Sequence, residues 1–240
     1  MDERLKKIID ESDNIVFFGG AGVSTESNIP DFRSEKGLYK AKTEYGMSPE
    51  EMISHSFFVN HTETFFDYYK KNLIYPDAKP NKAHRALAKL EAQGKLKAVV
   101  TQNIDGLHQR AGSVNVAEIH GSTLRNYCSR CGAKYPADYI FKSETTIPRC
   151  KHCGGTVRPD VTLYGEMLPD QEVYKADSYI RGAELLIVGG TSLAVWPAAG
   201  YVARFRGKLV IINRDETPYD YQAELVFHES IGEVLGSVQI

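Results

Sequence analysis

The sequence predicts an α/β protein, a doubly wound parallel sheet carrying a small inserted domain. Three observations predict it. Short, nearly continuous apolar runs recur along the chain, helix-like stretches lie between them, and two segments, 37–80 and 127–158, break the alternation. The runs are Asn14–Phe18, Ala98–Thr101, Val114–Ile119, Leu185–Val188, Lys208–Asn213 and Leu225–Phe227. Most lack a polar face, as strands buried on both sides do, and such strands alternating with helices pair in parallel through crossovers. The clearest helix is Asn81–Gln93, which sets Ala83, Leu87 and Leu90 on one face and stops at Gly94, a suitable C-cap. Segment 37–80 is aromatic and shows no strand, so it is expected to form helices over one side of a cleft. Segment 127–158 reads as an inserted ribbon.

With 240 residues, 42% of them hydrophobic, the chain can bury one sizeable core and a satellite. A net charge of -2 offers no basic groove for nucleic acid. The apolar runs are strand-length, and the charged N-terminal segment lacks the apolar core of a signal peptide, so no membrane association is expected. A soluble, cytoplasmic, monomeric protein is expected, in a compartment where thiols stay reduced.

The ribbon holds all four cysteines, as Cys128-x2-Cys131 and Cys150-x2-Cys153 with 18 residues between the pairs. That falls within the spacing of roughly 15–20 residues typical of zinc ribbons. Each pair makes a tight turn that aims two thiolates at one ion, and Gly132 and Gly154 follow where the turn needs a free backbone. Two disulfides or reduced core thiols are the alternatives. A closed site of four thiolates keeps no position for water, so such a zinc is structural, and His152, inside the second pair, is a bystander.

After the first strand comes Gly19-Gly20-Ala21-Gly22-Val23-Ser24-Thr25. Glycines there let the backbone approach a pyrophosphate, although Thr25 stands at the third glycine position of the dinucleotide fingerprint. An ordinary strand-to-helix turn would read the same way. Pro30, Asp31, Phe32 and Arg33 then place a rigid ring, an acid, an aromatic and a guanidinium on one loop, a mixture typical of functional loops.

Other strand ends add polar groups, and ligands of such sheets bind outside the carboxyl ends of strands. Gln102, Asn103, Ile104 and Asp105 follow the second strand and can hydrogen-bond an amide or a sugar. His120 closes the third, where an imidazole titrating near neutrality can take a proton from a hydroxyl. Gly190, Thr191 and Ser192 follow the fourth as an anion cradle. Asn213 and Arg214 follow the fifth, where Asn213 can hold a ribose hydroxyl. His84, His108 and His228 are read as structural. Each stretch alone could be an ordinary polar loop; together they imply one extended cleft.

Gly20-Ala21-Gly22-x-Ser24, Pro30-Asp31-Phe32-Arg33, Thr101-Gln102-Asn103-Ile104-Asp105, His120-Gly121, the paired cysteines and Gly190-Thr191-Ser192 resemble, in order, the sirtuins, NAD-dependent protein lysine deacylases. The resemblance implies a Rossmann-like NAD-binding domain from 1–36, 81–122 and 159–240, with a helical insert, 37–80, and a zinc ribbon, 123–158, forming the small domain. It implies NAD as co-substrate and one structural Zn2+, with the pyrophosphate near Ala21, Gly22, Thr191 and Ser192, and with Asn213, Ser230 and Ile231 facing the adenosine. Asn103, Ile104 and Asp105 would hold the nicotinamide end, and Phe32 would shield the sugar once nicotinamide leaves. His120 would be the general base, with Asn103 beside it in the catalytic set. The acyl oxygen of an acetyl-lysine would attack the anomeric carbon, giving free lysine, nicotinamide and O-acetyl-ADP-ribose. Val161, Tyr164, Gly165 and Glu166, with Leu193, Ala194 and Val195, would clamp an extended peptide by strand addition. Asn28 stands where the family commonly has glycine, and asparagine tolerates a left-handed backbone. Members that remove acidic acyl groups use a tyrosine and an arginine at positions that carry Phe66 and Tyr69, so deacetylation is expected over desuccinylation. A protein mono-ADP-ribosyltransferase and a non-catalytic NAD or ADP-ribose sensor remain as alternatives.

Overall fold

In the computed structural model, which describes residues 2–31, 43–194 and 198–238, strand β1 (Ile15–Gly19) is buried at all five positions. Its place explains this. It pairs in parallel with β2 (Leu96–Thr101) on one side and β7 (Leu185–Gly189) on the other. Beyond β2 lies β3 (Val116–Glu118), and beyond β7 lie β8 (Lys208–Ile212) and β9 (Leu225–Phe227), so the order is β3-β2-β1-β7-β8-β9 with every pairing parallel. The chain grows outward from β1 in one direction, then resumes on its other side at β7. At such a switch point the ends of the two strands open a crevice.

Alternate side chains of β1 enter two cores. Ile15 and Phe17 face Leu5 and Ile9 of α1 (Glu3–Asp10), Leu87 and Leu90 of α5 (Lys82–Ala92) and Val234 and Leu235 of α10 (Ile231–Ser237). Val16 and Phe18 face Ile180 of α8 (Asp170–Gly182) and Val202 of α9 (Ala198–Arg204). Each fully buried large apolar side chain contributes about 1.5–3 kcal/mol, which is why a run without a polar face is stable only here. Helix α5 begins at Asn81, whose side chain accepts from the amides of Ala83 at 2.9 Å and His84 at 3.3 Å. The same side chain donates to the Val23 carbonyl at 2.7 Å, so the cap also ties α5 to the turn after β1.

The strand expected from Val114 begins two residues later. The Glu91 carboxylate takes the amides of Val114 and Asn115 at 3.0 and 2.7 Å, and the Val114 side chain is exposed. A second, antiparallel sheet, β5-β4-β6, is built from β4 (Gly121–Cys128), β5 (Lys134–Pro136) and β6 (Val157–Val161). It therefore starts directly after His120, earlier than the ribbon boundary read from the cysteines. The described part of the aromatic segment is helical: α2 (Pro49–Met52), α3 (His55–Asn60) and α4 (Thr62–Asn72). Phe57, Phe65, Phe66 and Tyr69 from these helices share one core with Cys128, Cys150, Val157 and Ile140, the last from α7 (Asp138–Phe141). Among the described residues no helix is long and apolar enough to cross a membrane.

Candidate active site and cysteine centre

Strand ends supply the polar groups of the crevice. The residues after β1 form a 3-10 helix, Ala21–Ser27, rather than the α-helix of a dinucleotide fold, and it ends at Asn28 in the left-handed conformation, φ 62°. Gly20 and Gly22 press against the turn after β7. A Cβ on Gly20 would lie 2.8 Å from the Gly190 carbonyl oxygen, one on Gly22 would lie 2.7 Å from the Gly190 Cα, and Gly190 itself has φ +60°. The Gly22 amide donates to the Gly190 carbonyl at 2.9 Å. The glycines thus serve the approach of one turn to another, and the Gly22 amide is engaged within the protein. Nor does a helix start directly at Gly190–Ser192, because α9 opens only at Ala198.

Over this junction the Gln102 side chain donates to the Thr191 hydroxyl at 3.1 Å. Ser24, 1% exposed, donates to Asp105 Oδ2 at 2.6 Å and accepts from Asn103 Nδ2 at 3.1 Å. Asp105 Oδ1 accepts from the Leu107 amide at 2.8 Å, at the start of α6 (Leu107–Ala111). Burial pushes the Asp105 carboxyl up, and the bonds from Ser24 and Leu107 work against that. Asn103 is fixed further by its amide, which donates to Thr101 Oγ1 at 3.0 Å. Ile104 is held through its carbonyl, which accepts from the Thr123 amide at 2.9 Å.

His120 Nδ1 lies 3.0 Å from the Gln102 carbonyl oxygen. A carbonyl only accepts, so Nδ1 carries the proton of the neutral ring and Nε2 keeps its lone pair. Burial lowers the His120 pKa, and the bond to Gln102 raises it in part. The ring is therefore a neutral base at physiological pH.

Toward the β9 side, Asn213 donates to the Asp215 carbonyl at 2.8 Å, and Arg214 is exposed. Ser230 donates to Glu26 Oε1 at 2.6 Å, and the same oxygen accepts the Gly232 amide at 2.8 Å. Glu26 carries no local sequence signal for this contact, since its partners lie more than 200 residues away. The Ile231 side chain is 5% exposed and packs in the core, so only its backbone faces outward. Thr25 donates to the Gly22 carbonyl at 2.9 Å. Pro30 is exposed and Asp31 half-buried. Phe32, Arg33 and Val195 lie outside the described residues.

Of the peptide candidates, Val161 is half-buried, while Tyr164, Gly165 and Ala194 are exposed. Leu193, with φ 52°, turns its side chain into the core at 1% exposure, which leaves only its backbone for a peptide. Glu166 does not point outward as a free substrate contact. Its carboxylate is held by Arg158 at 2.6 and 2.9 Å, by the Leu163 amide at 2.9 Å and by His55 Nδ1 at 2.8 Å.

The cysteine sulfurs all lie within 4.8 Å of one another, and no disulfide joins them. Cys128 and Cys153 are 3.5 Å apart, Cys131 and Cys150 3.6 Å, near the ~3.8 Å edge of a tetrahedron with zinc–sulfur bonds of about 2.3 Å. The two turns repeat each other. The Arg130 amide donates to the Cys128 sulfur and the His152 amide to the Cys150 sulfur, each at 3.4 Å. A Cβ on Gly155 would come within 3.0 Å of the Cys128 sulfur, so glycine leaves the sulfurs room to close on an ion. The donor set and its spacing fit one structural zinc.

Comparisons with known proteins agree with this geometry. The sequence pattern described as the Sir2 family matches residues 20–197. A protein of Clostridium acetobutylicum named NAD-dependent protein deacetylase is 61% identical over 98% of this chain and 96% of its own length. One of Clostridium tetani with the same name is 57% identical over 99% and 98%. Among solved structures, a Sir2 homologue in complex with NAD superposes with a TM-score of 0.90 at 38% identity, covering 99% of this chain and 92% of that one. Sir2 with a p53 peptide and NAD+ superposes at 0.86 with 41% identity, covering 98% and 95%. The chain belongs to the Sir2 family.

Proposed function

We propose that this chain is an NAD-dependent protein lysine deacetylase whose active site is the cluster at the ends of β1, β2, β3 and β7. The observation that carries the proposal is the His120 ring, fixed by the Gln102 carbonyl so that Nε2 is its basic nitrogen. It stands in a family whose relatives, 61% and 57% identical, are named NAD-dependent protein deacetylases.

When bound, NAD supplies a glycosidic bond to nicotinamide whose cleavage opens the ribose carbon to the acyl oxygen. The rest is assigned to this chain. Asp105 and Asn103, braced by Ser24, orient the carboxamide; the carboxylate oxygens each keep a lone pair for it. Thr191, Ser192 and Ala21 flank the pyrophosphate. Asn213, Arg214 and the Ser230–Ile231 backbone take the adenosine, with Glu26 fixing their position. His120 Nε2 accepts the proton of a ribose hydroxyl and becomes a cation, while its Nδ1–H stays on the Gln102 carbonyl. An extended acetyl-lysine peptide lies between 161–166 and the backbone of Leu193 and Ala194. The cysteine-bound zinc has no open position and takes no part in proton transfer. We assign 1–36, 81–122 and 159–240 to the NAD-binding domain and 37–80 and 123–158 to the small domain. We assign the chain to the cytoplasm as a monomer; a reducing compartment keeps the four cysteines, which form no disulfide, available as thiolates for the metal.

The test is release of nicotinamide with an acetyl-lysine peptide, with and without His120→Ala. Removal of a general base should lower kcat at least about 10²-fold with an unchanged melting temperature. Retained turnover, or transfer of labelled ADP-ribose from NAD to protein with release of nicotinamide but without deacetylation, would refute the assignment.

A further inference from the structure

The stretch after β6 is held from beneath by one buried arginine. Arg158 is 6% exposed and lies over the Phe58 ring at 4.9 Å and the Tyr127 ring at 5.8 Å. Its two terminal nitrogens grip both oxygens of Glu166, and one of them also donates to the Val161 carbonyl at 3.1 Å. Glu166 Oε2 accepts the Leu163 amide, so the side chain bridges back over its own turn. On the outer side, His55 Nδ1 meets Glu166 Oε1 at 2.8 Å. The backbone repeats the link, since Tyr164 donates to the Ile53 carbonyl at 3.0 Å and accepts from the His55 amide at 2.9 Å. A single guanidinium thus connects the ribbon (Tyr127, β6), the helical insert (Phe58 and, through Glu166, His55) and both ends of the segment 161–166. Planar bidentate pairing suits this better than a point charge, because it fixes direction as well as distance.

We propose that Arg158, Glu166 and His55 form a clamp that sets the register of segment 161–166 for the incoming peptide, so that the three are positioning residues for peptide and not for NAD. This rests on the reading that the peptide seats against 161–166. The clamp uses the inner side of that segment. Tyr164, 52% exposed, turns its side chain outward, and the amide and carbonyl of Gly165 make no hydrogen bond among the described residues. These are the groups a peptide strand would meet. Loosening the clamp frees residues 163–166, because Thr162 stays tied through its amide to the His120 carbonyl at 3.0 Å, while the His120 ring, Asn103 and Asp105 keep bonds of their own.

The experiment is steady-state kinetics of the full chain, varying acetyl-peptide and NAD separately, for Glu166→Gln, Arg158→Lys, His55→Ala and Tyr164→Ala. Glu166→Gln and Arg158→Lys should raise the KM for peptide about tenfold with the KM for NAD within about twofold, the pattern of lost peptide positioning. His55→Ala, on the exposed side, should act in the same direction by about two- to threefold. General destabilisation would instead lower the active fraction, cutting kcat with both KM values unchanged, and that result would overturn the clamp. So would equal rises in both KM values, or no change in either. Tyr164→Ala separates the clamp from the reading beneath it. If Tyr164→Ala raises the peptide KM while the clamp variants do not, the peptide seats there without a clamp. If none of the four raises it, the peptide seats elsewhere.

Discussion

Replacing Gly190 by alanine tests whether the crevice depends on two turns in backbone contact. Two penalties combine at this residue. Its φ of +60° is strained for any residue with a side chain, by about 1 kcal/mol for alanine. A Cβ would also sit 2.4 Å from the Val23 nitrogen and 2.6 Å from the Gly22 carbonyl carbon. Both are backbone atoms, so no side-chain rotation relieves the overlap, and the turn after β1 must move away from β7. Overpacking of that kind costs about 1–3 kcal/mol, which brings the sum to about 2–4 kcal/mol. For a chain of this size the melting temperature falls about 2–4 °C per kcal/mol, so Gly190→Ala should melt about 4–16 °C lower.

Two companions separate the penalties. Gly94 has φ +76° with nothing within 4 Å of its would-be Cβ, so Gly94→Ala carries strain alone and should lose only about 2–4 °C. Gly20 has φ -126°, so Gly20→Ala carries only the overlap with Gly190 and Thr191 and should fall between the other two. Melting is followed by calorimetry, and the KM for NAD is measured on the surviving fold. Gly190→Ala and Gly20→Ala should raise it and Gly94→Ala should not. If Gly190→Ala melts with Gly94→Ala and leaves the KM for NAD unchanged, the two turns are not in the contact described.

Zinc removal with a strong chelator should release about one ion per chain and abolish activity by disordering the ribbon; activity that persists in zinc-free protein would contradict a scaffold role. Stability should fall in mild acid because His84, completely buried, has its pKa lowered from 6.5 to about 4 by burial. Between those values the unfolded imidazole binds a proton that the folded one refuses, so stability is full above pH 6.5, declines as pH falls to about 4 and then levels. The loss is about 3 kcal/mol from this group, and melting temperature against pH should flatten in a His84→Gln variant. Acetyl-peptides should outrun succinyl-peptides by at least about tenfold, since Phe66 and Tyr69 are both buried in the aromatic core and supply no guanidinium; comparable rates would contradict this.

The six-stranded sheet was legible because its four interior strands have a strand on each side, and a strand such as Ile15–Gly19, with a core on each face, can then be apolar at every position. The antiparallel sheet was not. β4 runs Gly-Ser-Thr-Leu-Arg-Asn-Tyr-Cys with mixed burial, and such a strand carries no apolar run to announce it. The strand-end residues were legible because glycines, amides and a histidine clustered after apolar runs. Their bonds were not, since Ser24 meets Asp105 across 81 residues and Ser230 meets Glu26 across 204. Glu166 shows the limit most plainly. Its neighbours along the chain suggested a peptide contact, whereas its charge answers an arginine eight residues earlier and a histidine 111 residues away.

That same pairing gives the cysteines a role that reaches the crevice without chemistry at the metal. Cys128 ends β4 and pairs in register with Val157 at the start of β6. Arg158 follows Val157, its ring partners are Tyr127 of β4 and Phe58 of the aromatic core, and its charge partner Glu166 closes the segment 161–166. Burial of that ion pair is tolerable only while the stacking and the bidentate geometry both hold, because a buried charge that loses its partner is strongly destabilising. Desolvation pushes the Glu166 carboxyl up, but the bonds from Arg158, the Leu163 amide and His55, with the Arg158 charge, together outweigh it and lower its pKa to about 2, so the pair stays ionised throughout the neutral range. A ribbon that loses its metal loses the β4–β6 pairing that carries Arg158. The arginine then leaves Glu166 without its guanidinium, and segment 161–166 loses its support although no residue touching the ribose has changed. On this reasoning, partial zinc loss should show itself first as a rise in the KM for peptide, ahead of any change in the KM for NAD.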